Sequence, residues 1–379
     1  MPRGLAEQVR ERAMNEPDPV EIAGDDAIPD HIDPNDLIPT GSTMLDLALS
    51  DRAEGGWHKG KIDLLIGDSD SGKTILGLTE FAVCASLPRF DDYRLIYDAV
   101  ETNSAINVRK LLGNKVAERL EAPQVDPKTG EPIYSDTVQD FLHNVLNALD
   151  DGRPFLWLLD SWDALSSEEE IKKVEQQHDA WEKDKEAAGH MGMEKAKGAH
   201  QLFRLVKARL KKSQSHLLII FQTKDVVNPM PGQKTKTHGG GNAPKFYAQH
   251  TVWLSIVGQE TRGESKAKRK VGVNTLASVD KNHLTGKKRD ARFTIYYDYG
   301  VDDTSSMVDF LLETGYWDRK GSYILPEGLG VLEQDKYYKK ELVELIEQKG
   351  LDRRLKRCVQ ESWTKVEESL KLGRKPRFE

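Results

Sequence analysis

The 379-residue sequence predicts an α/β protein with a mainly parallel sheet, an extended arm before it and a small α+β unit after it. Apolar runs separated by helical patterns indicate parallel strands that are covered on both faces. A glycine-rich loop directly after the first run is typical of a phosphate-binding turn between a strand and a helix. Residues 15–39 are rich in aspartate and proline, which favours an extended arm over a core element.

The elements are expected in the following order. Residues 4–14 read as a short amphipathic helix, and the arm follows. Seven apolar runs predict strands at 62–66, 94–99, 155–160, 217–222, 251–257, 275–280 and 291–297. Helical patterns separate the first four runs, at 73–87, 136–150 and 196–212. The later strands have no helices between them, so they could extend the sheet in an antiparallel direction.

A new unit is predicted after residue 300. It contains a helix at 304–314, a small wing at 316–325, and helices near 336–349 and 351–371. These patterns divide the chain into an arm over 1–38, a core over 39–300 and a small C-terminal α+β unit over 301–379.

The composition narrows the class of protein. Hydrophobic residues make up 38% and charged residues 31%, which predicts an ordered chain with a highly charged surface. No run approaches the roughly 18 apolar residues that span a bilayer, and the first residues lack an apolar signal core. With only Cys84 and Cys358, a disulfide framework or a four-ligand zinc site is disfavoured. We therefore expect a cytoplasmic protein with no membrane association.

The net charge of −7 is unevenly distributed along the chain. Residues 1–60 hold thirteen acidic and five basic side chains, whereas residues 262–289 hold nine basic and two acidic ones. An acidic protein can present a basic stripe to nucleic acid. An ordinary solvated face is the alternative interpretation of this stripe.

The loop after the first strand fits the pattern G-x-x-x-x-G-K-[ST]. Its residues are Gly67, Asp68, Ser69, Asp70, Ser71, Gly72, Lys73 and Thr74. Backbone N–H groups in such a loop surround phosphate oxygens, and the next helix directs its positive end at the same anion. Lys73 would reach the outer phosphates, and Thr74 would offer its hydroxyl to Mg²⁺. The sequence therefore predicts binding of a nucleoside triphosphate.

Polar residues at the ends of later strands could complete this site. Asp160 ends the run at 155–160 and is expected to hold Mg²⁺. Glu101 is the candidate for a base that positions water, and Asp98 is the alternative. Gln222 could sense the γ-phosphate and report it to the loop that follows. A capping acid at 101 and a strand-end amide at 222 are the competing interpretations.

Two segments interrupt the compact pattern. Residues 167–195 are strongly polar, and residues 224–244 are rich in Gly, Pro, Lys and Thr. Each follows a core strand, where open α/β sheets carry functional loops. The alternative is a pair of tolerated surface insertions.

Together these motifs resemble the RecA-type recombinases of the bacterial and phage branch. The resemblance covers about residues 38–330 and includes Leu159-Asp160-Ser161, His190-Met191-Gly192 and Phe221-Gln222. Its most specific string is Gly240-Gly241-Asn242-Ala243-Pro244-Lys245-Phe246-Tyr247, followed by Val279-Asp280-Lys281-Asn282.

The resemblance implies a RecA-like P-loop ATPase core with an N-terminal polymerisation arm. It implies ATP and Mg²⁺ as ligands, and a helical homo-oligomeric filament on single-stranded DNA. Homologous double-stranded DNA would then enter pairing and strand exchange, with DNA-stimulated ATP hydrolysis. A ring helicase or translocase motor, and an ATP-switched DNA-binding scaffold with weak hydrolysis, are the alternatives.

The resemblance also implies roles for particular residues. Lys73, Glu101 and Gln222 would be catalytic. Lys281, Phe246 and Lys245 would contact the ATP of a neighbouring copy. The DNA loops would span about 167–198 and 223–242. The implied DNA contacts are Met191, Gly192, Lys197, Arg204, Lys224, Lys236, Gly240, Gly241 and Asn242.

The chain departs from the family pattern at several positions. His283 stands where the family has a second lysine that contacts the shared ATP. The region of Glu101 carries one extra residue, Asn107 replaces an aromatic that stacks on adenine, and Asp225 replaces an apolar wedge. The first DNA loop is longer and more highly charged than usual.

Overall fold

A computed structural model describes residues 32–101, 106–172, 193–225, 236–239, 243–264, 267–330 and 332–374, with the backbone alone over 193–199. Contacts divide the chain into Met1–Asp33 and Pro34–Glu379, and the fold below is that of the second unit. The predicted helix at 4–14 lies outside the described residues. No helix in the described ranges is long and apolar enough to cross a membrane.

The strands and helices follow the predicted order closely. The strands are β1 (Leu37–Ile38), β2 (Trp57–His58), β3 (Ile62–Gly67), β4 (Arg94–Ala99), β5 (Leu120–Glu121), β6 (Gln124–Val125), β7 (Pro132–Ile133), β8 (Phe155–Asp160), β9 (His216–Asp225), β10 (Lys236–His238), β11 (His250–Arg262), β12 (Arg269–Asn282), β13 (Asp290–Tyr296), β14 (Gly300–Asp302), β15 (Asp318–Lys320), β16 (Tyr323–Leu325) and β17 (Tyr337–Tyr338). The helices are α1 (Thr43–Ser50), α2 (Lys73–Ala85), α3 (Val108–Leu112), α4 (Asn114–Arg119), α5 (Val138–Asp150), α6 (Met193–Ser213), α7 (Ala243–Tyr247), α8 (Asp303–Glu313), α9 (Lys339–Gln348) and α10 (Asp352–Ser369).

Ten of the described strands form one sheet in the order β14-β13-β12-β11-β3-β9-β8-β4-β5, with β10 paired to β9. The six strands from β11 to β5 are parallel. Strands β12, β13 and β14 extend the sheet in an antiparallel direction. The sequence therefore predicted both the parallel centre and its antiparallel extension.

Both faces of the sheet are buried, because successive side chains of a strand point to opposite faces. In β8, Phe155, Trp157 and Leu159 join one core cluster, whereas Leu156 and Leu158 join the other. Helices α5 and α6 cover the first face, and α1, α2 and the C-terminal helices cover the second. This double burial explains why the strands read as continuous apolar runs.

The C-terminal unit contains a small antiparallel sheet in the order β15-β16-β17. Its helices α9 and α10 contribute Leu342 and Leu355 to the same core cluster as α1. At the opposite boundary, Leu37 and Ile38 are fully buried, and β1 pairs with β2. The folded core therefore begins before residue 38.

A buried polar cluster joins the amino ends of three central strands. His216 lies between Asp63 and Glu80, at 2.9 Å and 3.3 Å from their carboxylate oxygens. The backbone N–H and the Nδ1 atom of His250 contact the other oxygen of Asp63 at 2.7 Å and 2.9 Å. Burial alone would lower the pKa of His216, but Glu80 and Asp63 raise it to about 9. No local sequence pattern indicates this cluster.

Candidate functional site

The predicted phosphate loop lies between β3 and α2, at the carboxyl end of the parallel strands. Gly72 has a φ of +93°, and a Cβ atom there would clash with Cδ1 of Ile295. Helix α2 starts directly afterwards, and the N–H of Leu76 donates to the carbonyl of Gly72 at 2.9 Å. The loop therefore has the strand–turn–helix context that the motif requires.

Lys73 is buried beneath this loop. Its ammonium donates to the carbonyl oxygens of Gly67 at 3.0 Å and Asp68 at 2.7 Å. Burial lowers the pKa of Lys73, while the carboxylates of Asp160 and Glu101 oppose that shift. The ammonium is thus held within the loop, where it could reach a bound phosphate.

Thr74 and Asp160 lie in direct contact. The Thr74 hydroxyl donates to Oδ2 of Asp160 at 2.6 Å, and the Tyr97 hydroxyl donates to the same oxygen at 3.3 Å. Burial raises the pKa of Asp160. Hydroxyl and carboxylate oxygens are the ligands that Mg²⁺ prefers, so this pair fits a magnesium ion bound together with phosphates.

Glu101 meets two polar groups from neighbouring strands. Its Oε1 atom accepts a hydrogen bond from the Ser161 hydroxyl at 3.1 Å and another from the side-chain amide of Gln222. The backbone N–H of Glu101 donates to the carbonyl of Asp160 at 2.9 Å. The structure therefore brings the candidate base, the candidate magnesium ligand and the candidate γ-phosphate sensor together.

Asp98, the alternative base, is engaged elsewhere. It is fully buried and accepts hydrogen bonds from the backbone N–H and hydroxyl of Ser135, at 2.9 Å and 2.6 Å. Burial raises the pKa of Asp98 to about 6. Both carboxylate oxygens of Asp98 are thus bonded to Ser135, which favours Glu101 as the candidate base.

These groups line a cavity of about 430 Å³, which is within the usual range for small-molecule sites. Its polar lining includes Lys73, Thr74, Glu101, Asp160 and Gln222. Its apolar lining includes Ile75, Ile106, Ile220, Val273, Ile295 and Tyr297. Asn107, expected at the adenine position, instead caps α3 by accepting from the N–H of Lys110 at 2.9 Å.

The described parts of the second predicted DNA loop lie beside this cavity. Strand β10 pairs with the end of β9, so the two strands flank residues 226–235, which are outside the described residues. Lys224 forms an ion pair with Asp163 at 3.1 Å, and Lys236 forms one with Asp68 at 2.5 Å. Both candidate DNA lysines are therefore bonded to carboxylates near the phosphate loop.

The other predicted DNA contacts are only partly described. Met191, Gly192, Gly240, Gly241 and Asn242 lie outside the described residues, as does the side chain of Lys197. Arg204 is exposed on α6 and lines a different cavity.

That second cavity has a volume of about 980 Å³ and lies at the amino end of β3. Its lining includes the cationic residues Lys61, Arg204, Lys207, Lys211, Lys245 and Lys281, together with His283. Desolvation and the neighbouring cations lower the pKa of Lys61, Lys281 and His283. Such a concentration of positive charge favours an anionic partner.

Lys281 and Phe246 lie together in this basic cavity. The Lys281 ammonium donates to the carbonyls of Lys245, Phe246 and Ala248 at 2.7, 3.0 and 2.7 Å. It thereby caps the end of α7, which is the usual way a lysine stabilises a helix C-terminus. The Phe246 side chain is 74% exposed, and Lys245 pairs with Asp280.

Several residues at the site were not predicted from the sequence. Ser161 donates a hydrogen bond to Glu101, and Tyr97 donates one to Asp160. Asp163 forms an ion pair with Lys224 and accepts a hydrogen bond from the backbone N–H of Gln222 at 2.8 Å. Asp163 and Ser161 follow Asp160 closely, so their position after a predicted strand was an available signal. No local pattern indicates the contact of Asp68 with Lys236, because 168 residues separate the two.

Comparisons with known proteins agree on one family. A family model described as the RecA N-terminal domain matches residues 30–302, which is more than half of the chain. Protein RecA of Geobacter sulfurreducens is 27% identical over 304 residues, covering 80% of this chain and 78% of that protein. Protein RecA of Thermus aquaticus is 28% identical over 288 residues, covering 76% and 75%. Protein RecA of Acinetobacter baylyi is 26% identical over 293 residues, covering 77% and 74%.

Proposed function

The chain belongs to the RecA family, and on that premise we propose that it is an ATP-dependent DNA recombinase. In this proposal it forms a helical filament on single-stranded DNA and promotes homologous pairing and strand exchange. ATP hydrolysis is stimulated by DNA. The observation that carries the proposal is the direct contact between Glu101 and Gln222 at the junction of the nucleotide cavity and the second loop.

The nucleotide is bound by the phosphate loop. Lys73 leaves its two carbonyl partners and binds the outer phosphates, which compensates for the charge of the triphosphate. Thr74 and Asp160 would hold Mg²⁺, which neutralises charge on the phosphate oxygens when it is bound. Their contact at 2.6 Å supports this assignment, since both oxygens already face one point.

Glu101 is the proposed base. Its carboxylate would accept a proton from the attacking water, and Ser161 would hold the carboxylate in place through the bond at 3.1 Å. The side-chain amide of Gln222 donates to the same Oε1 atom of Glu101, so a displacement of Glu101 would alter this hydrogen bond and shift Gln222. Residues 223–225 follow without a break on β9 and begin the second loop.

DNA binding is assigned to the two loops and their flanking cations. Arg204, Lys224 and Lys236 are the described candidates, and Met191, Gly192, Lys197, Gly240, Gly241 and Asn242 complete the set. The basic cavity, with Lys245, Phe246 and Lys281, would face the nucleotide of a neighbouring copy. The arm would join copies, and because β1 belongs to the folded core, the proposed joining segment is residues 1–33.

Electron microscopy of the purified protein tests the proposal most directly. The protein is mixed with single-stranded DNA and a slowly hydrolysed ATP analogue, and each is omitted in turn as a control. Open helical filaments that need both ligands are the expected result. Closed rings would indicate a motor instead, and the absence of any assembly would favour an ATP-switched scaffold.

A further inference from the structure

Asp68 joins the phosphate loop to both strands that flank residues 226–235. Its Oδ1 atom accepts a hydrogen bond from the Thr223 hydroxyl on β9. Its Oδ2 atom lies 2.5 Å from the ammonium of Lys236 on β10. Since β10 pairs with β9, one carboxylate contacts both of the paired strands that flank residues 226–235.

The backbone of Asp68 is part of the nucleotide site itself. Its carbonyl accepts hydrogen bonds from the Lys73 ammonium at 2.7 Å and from the N–H of Ser71 at 3.3 Å. A triphosphate that recruits Lys73 takes this ammonium away from the Asp68 carbonyl. Phosphate binding therefore acts on the same residue that holds Lys236 and Thr223.

The charges in this contact would change when phosphates bind. Lys236 and Thr223 lower the pKa of Asp68, so its carboxylate is ionised and neutralises Lys236. A triphosphate in the loop brings like charge close to that carboxylate, which repels it. Both side chains of the ion pair are 45% exposed, and pairs of this kind change an equilibrium by only about two- to five-fold. The contact is weak enough for ligands to break.

We propose that Asp68 is a positioning residue that couples the phosphate site to DNA binding by holding Lys236 until phosphates displace it. With Asp68 displaced, the Lys236 ammonium becomes available to the DNA backbone. This inference rests on the proposed function, because it assumes that the second loop binds DNA. By linkage, DNA that captures Lys236 also tightens nucleotide binding by the same factor.

The test measures affinity for a labelled single-stranded oligonucleotide by fluorescence anisotropy. Binding is recorded over a salt series, with and without a non-hydrolysable ATP analogue. Asp68→Asn should tighten DNA binding without the analogue by about two- to five-fold, because Lys236 is released. The salt dependence without the analogue should steepen by about one unit, as expected for one additional phosphate contact. The gain in DNA affinity that the analogue produces should shrink by the same factor.

Two further variants separate coupling from a general effect of charge. Asp225→Asn removes the carboxylate opposite Lys236 in the β9–β10 pair, which acts on Lys236 through its charge, whereas the side-chain hydrogen bond of Lys236 is to Asp68. It should change DNA affinity equally with and without the analogue. Lys236→Gln should weaken DNA binding mainly when the analogue is present. Adding Asp68→Asn to this variant should not change its DNA affinity further.

The outcomes of this test are distinct. The coupling is overturned if Asp68→Asn leaves the ratio of DNA affinities with and without the analogue at its wild-type value. It is also overturned if Asp68→Asn still changes DNA affinity in a protein that already carries Lys236→Gln. In both cases the proposed DNA binding itself stands. If the wild-type protein does not bind DNA even with the analogue, the proposed function fails and the coupling fails with it.

Discussion

Raising the pH should remove the stability that the buried His216 contributes. In the folded chain, Glu80 and Asp63 raise the pKa of His216 from 6.5 to about 9. Between these two pH values, only the folded chain keeps the proton. The contribution is therefore complete below pH 6.5 and is lost as the pH rises through about 9.

The size of this effect follows from the shift. A pKa that rises from 6.5 to about 9 corresponds to about 3 kcal/mol of folding free energy. His216 and Asp63 are fully buried, so solvent does not screen their interaction. Because whole domains are stable by only about 5–15 kcal/mol, a loss of this size is readily measured.

The assay compares wild type with His216→Gln by urea unfolding between about pH 6 and pH 10, followed by tryptophan fluorescence. The free-energy difference between the two proteins should narrow by about 3 kcal/mol across this range. His143→Gln, which changes an exposed histidine on α5, should stay within about 0.5 kcal/mol of wild type. If the difference in unfolding free energy between wild type and His216→Gln stays constant with pH, His216 does not carry the proposed charge in the folded protein.

Glu101→Gln should slow ATP hydrolysis by about 10²-fold or more through loss of the base, while Asp98→Asn should lower stability and keep near-normal turnover. The rate of phosphate release measures both effects, and a slower rate in Asp98→Asn than in Glu101→Gln would move the base to Asp98. Deleting residues 1–33, which spares the buried β1, should leave a folded protein that forms no long filaments, and undiminished light scattering with DNA and nucleotide would contradict the role of the arm. Lys207→Glu should raise the protein concentration needed for assembly by about tenfold, because it reverses a charge in the basic cavity. Lys212→Glu, on the same helix but outside that cavity, is the matched control. If the two variants raise this concentration equally, the basic cavity is not part of the assembly surface.

The order of strands and helices could be predicted because burial on both faces leaves a strong local signal. The runs at Ile62–Gly67 and Phe155–Asp160 are entirely buried, and helical periods separate them. The short elements β5, β6 and β7 were missed, since each is only two residues long and none is fully buried. Two residues carry too little periodicity for any pattern to indicate a strand.

The candidate site was predictable in its residues but not in all its contacts. Glu101 and Asp98 both follow from the same apolar run, so the sequence offered both as bases. Only the fold separates them, because Asp98 is bonded to Ser135 whereas Glu101 meets Ser161 and Gln222. The contacts of Asp68 with Lys236 and of Asp63 with His216 join residues more than 150 positions apart. Local patterns carry no information about such pairs.

The positions of the two cavities constrain how a shared nucleotide could be bound. Ile62 lines the basic cavity, and Gly67, at the other end of the same six-residue strand, begins the phosphate loop. At about 3.3 Å for each residue, these ends are roughly 17 Å apart. The Lys281 ammonium is bonded to three carbonyls around α7 on the basic side. If Lys281 and Lys73 act on one nucleotide, they must therefore come from different copies of the chain, and the site would be complete only in an assembly.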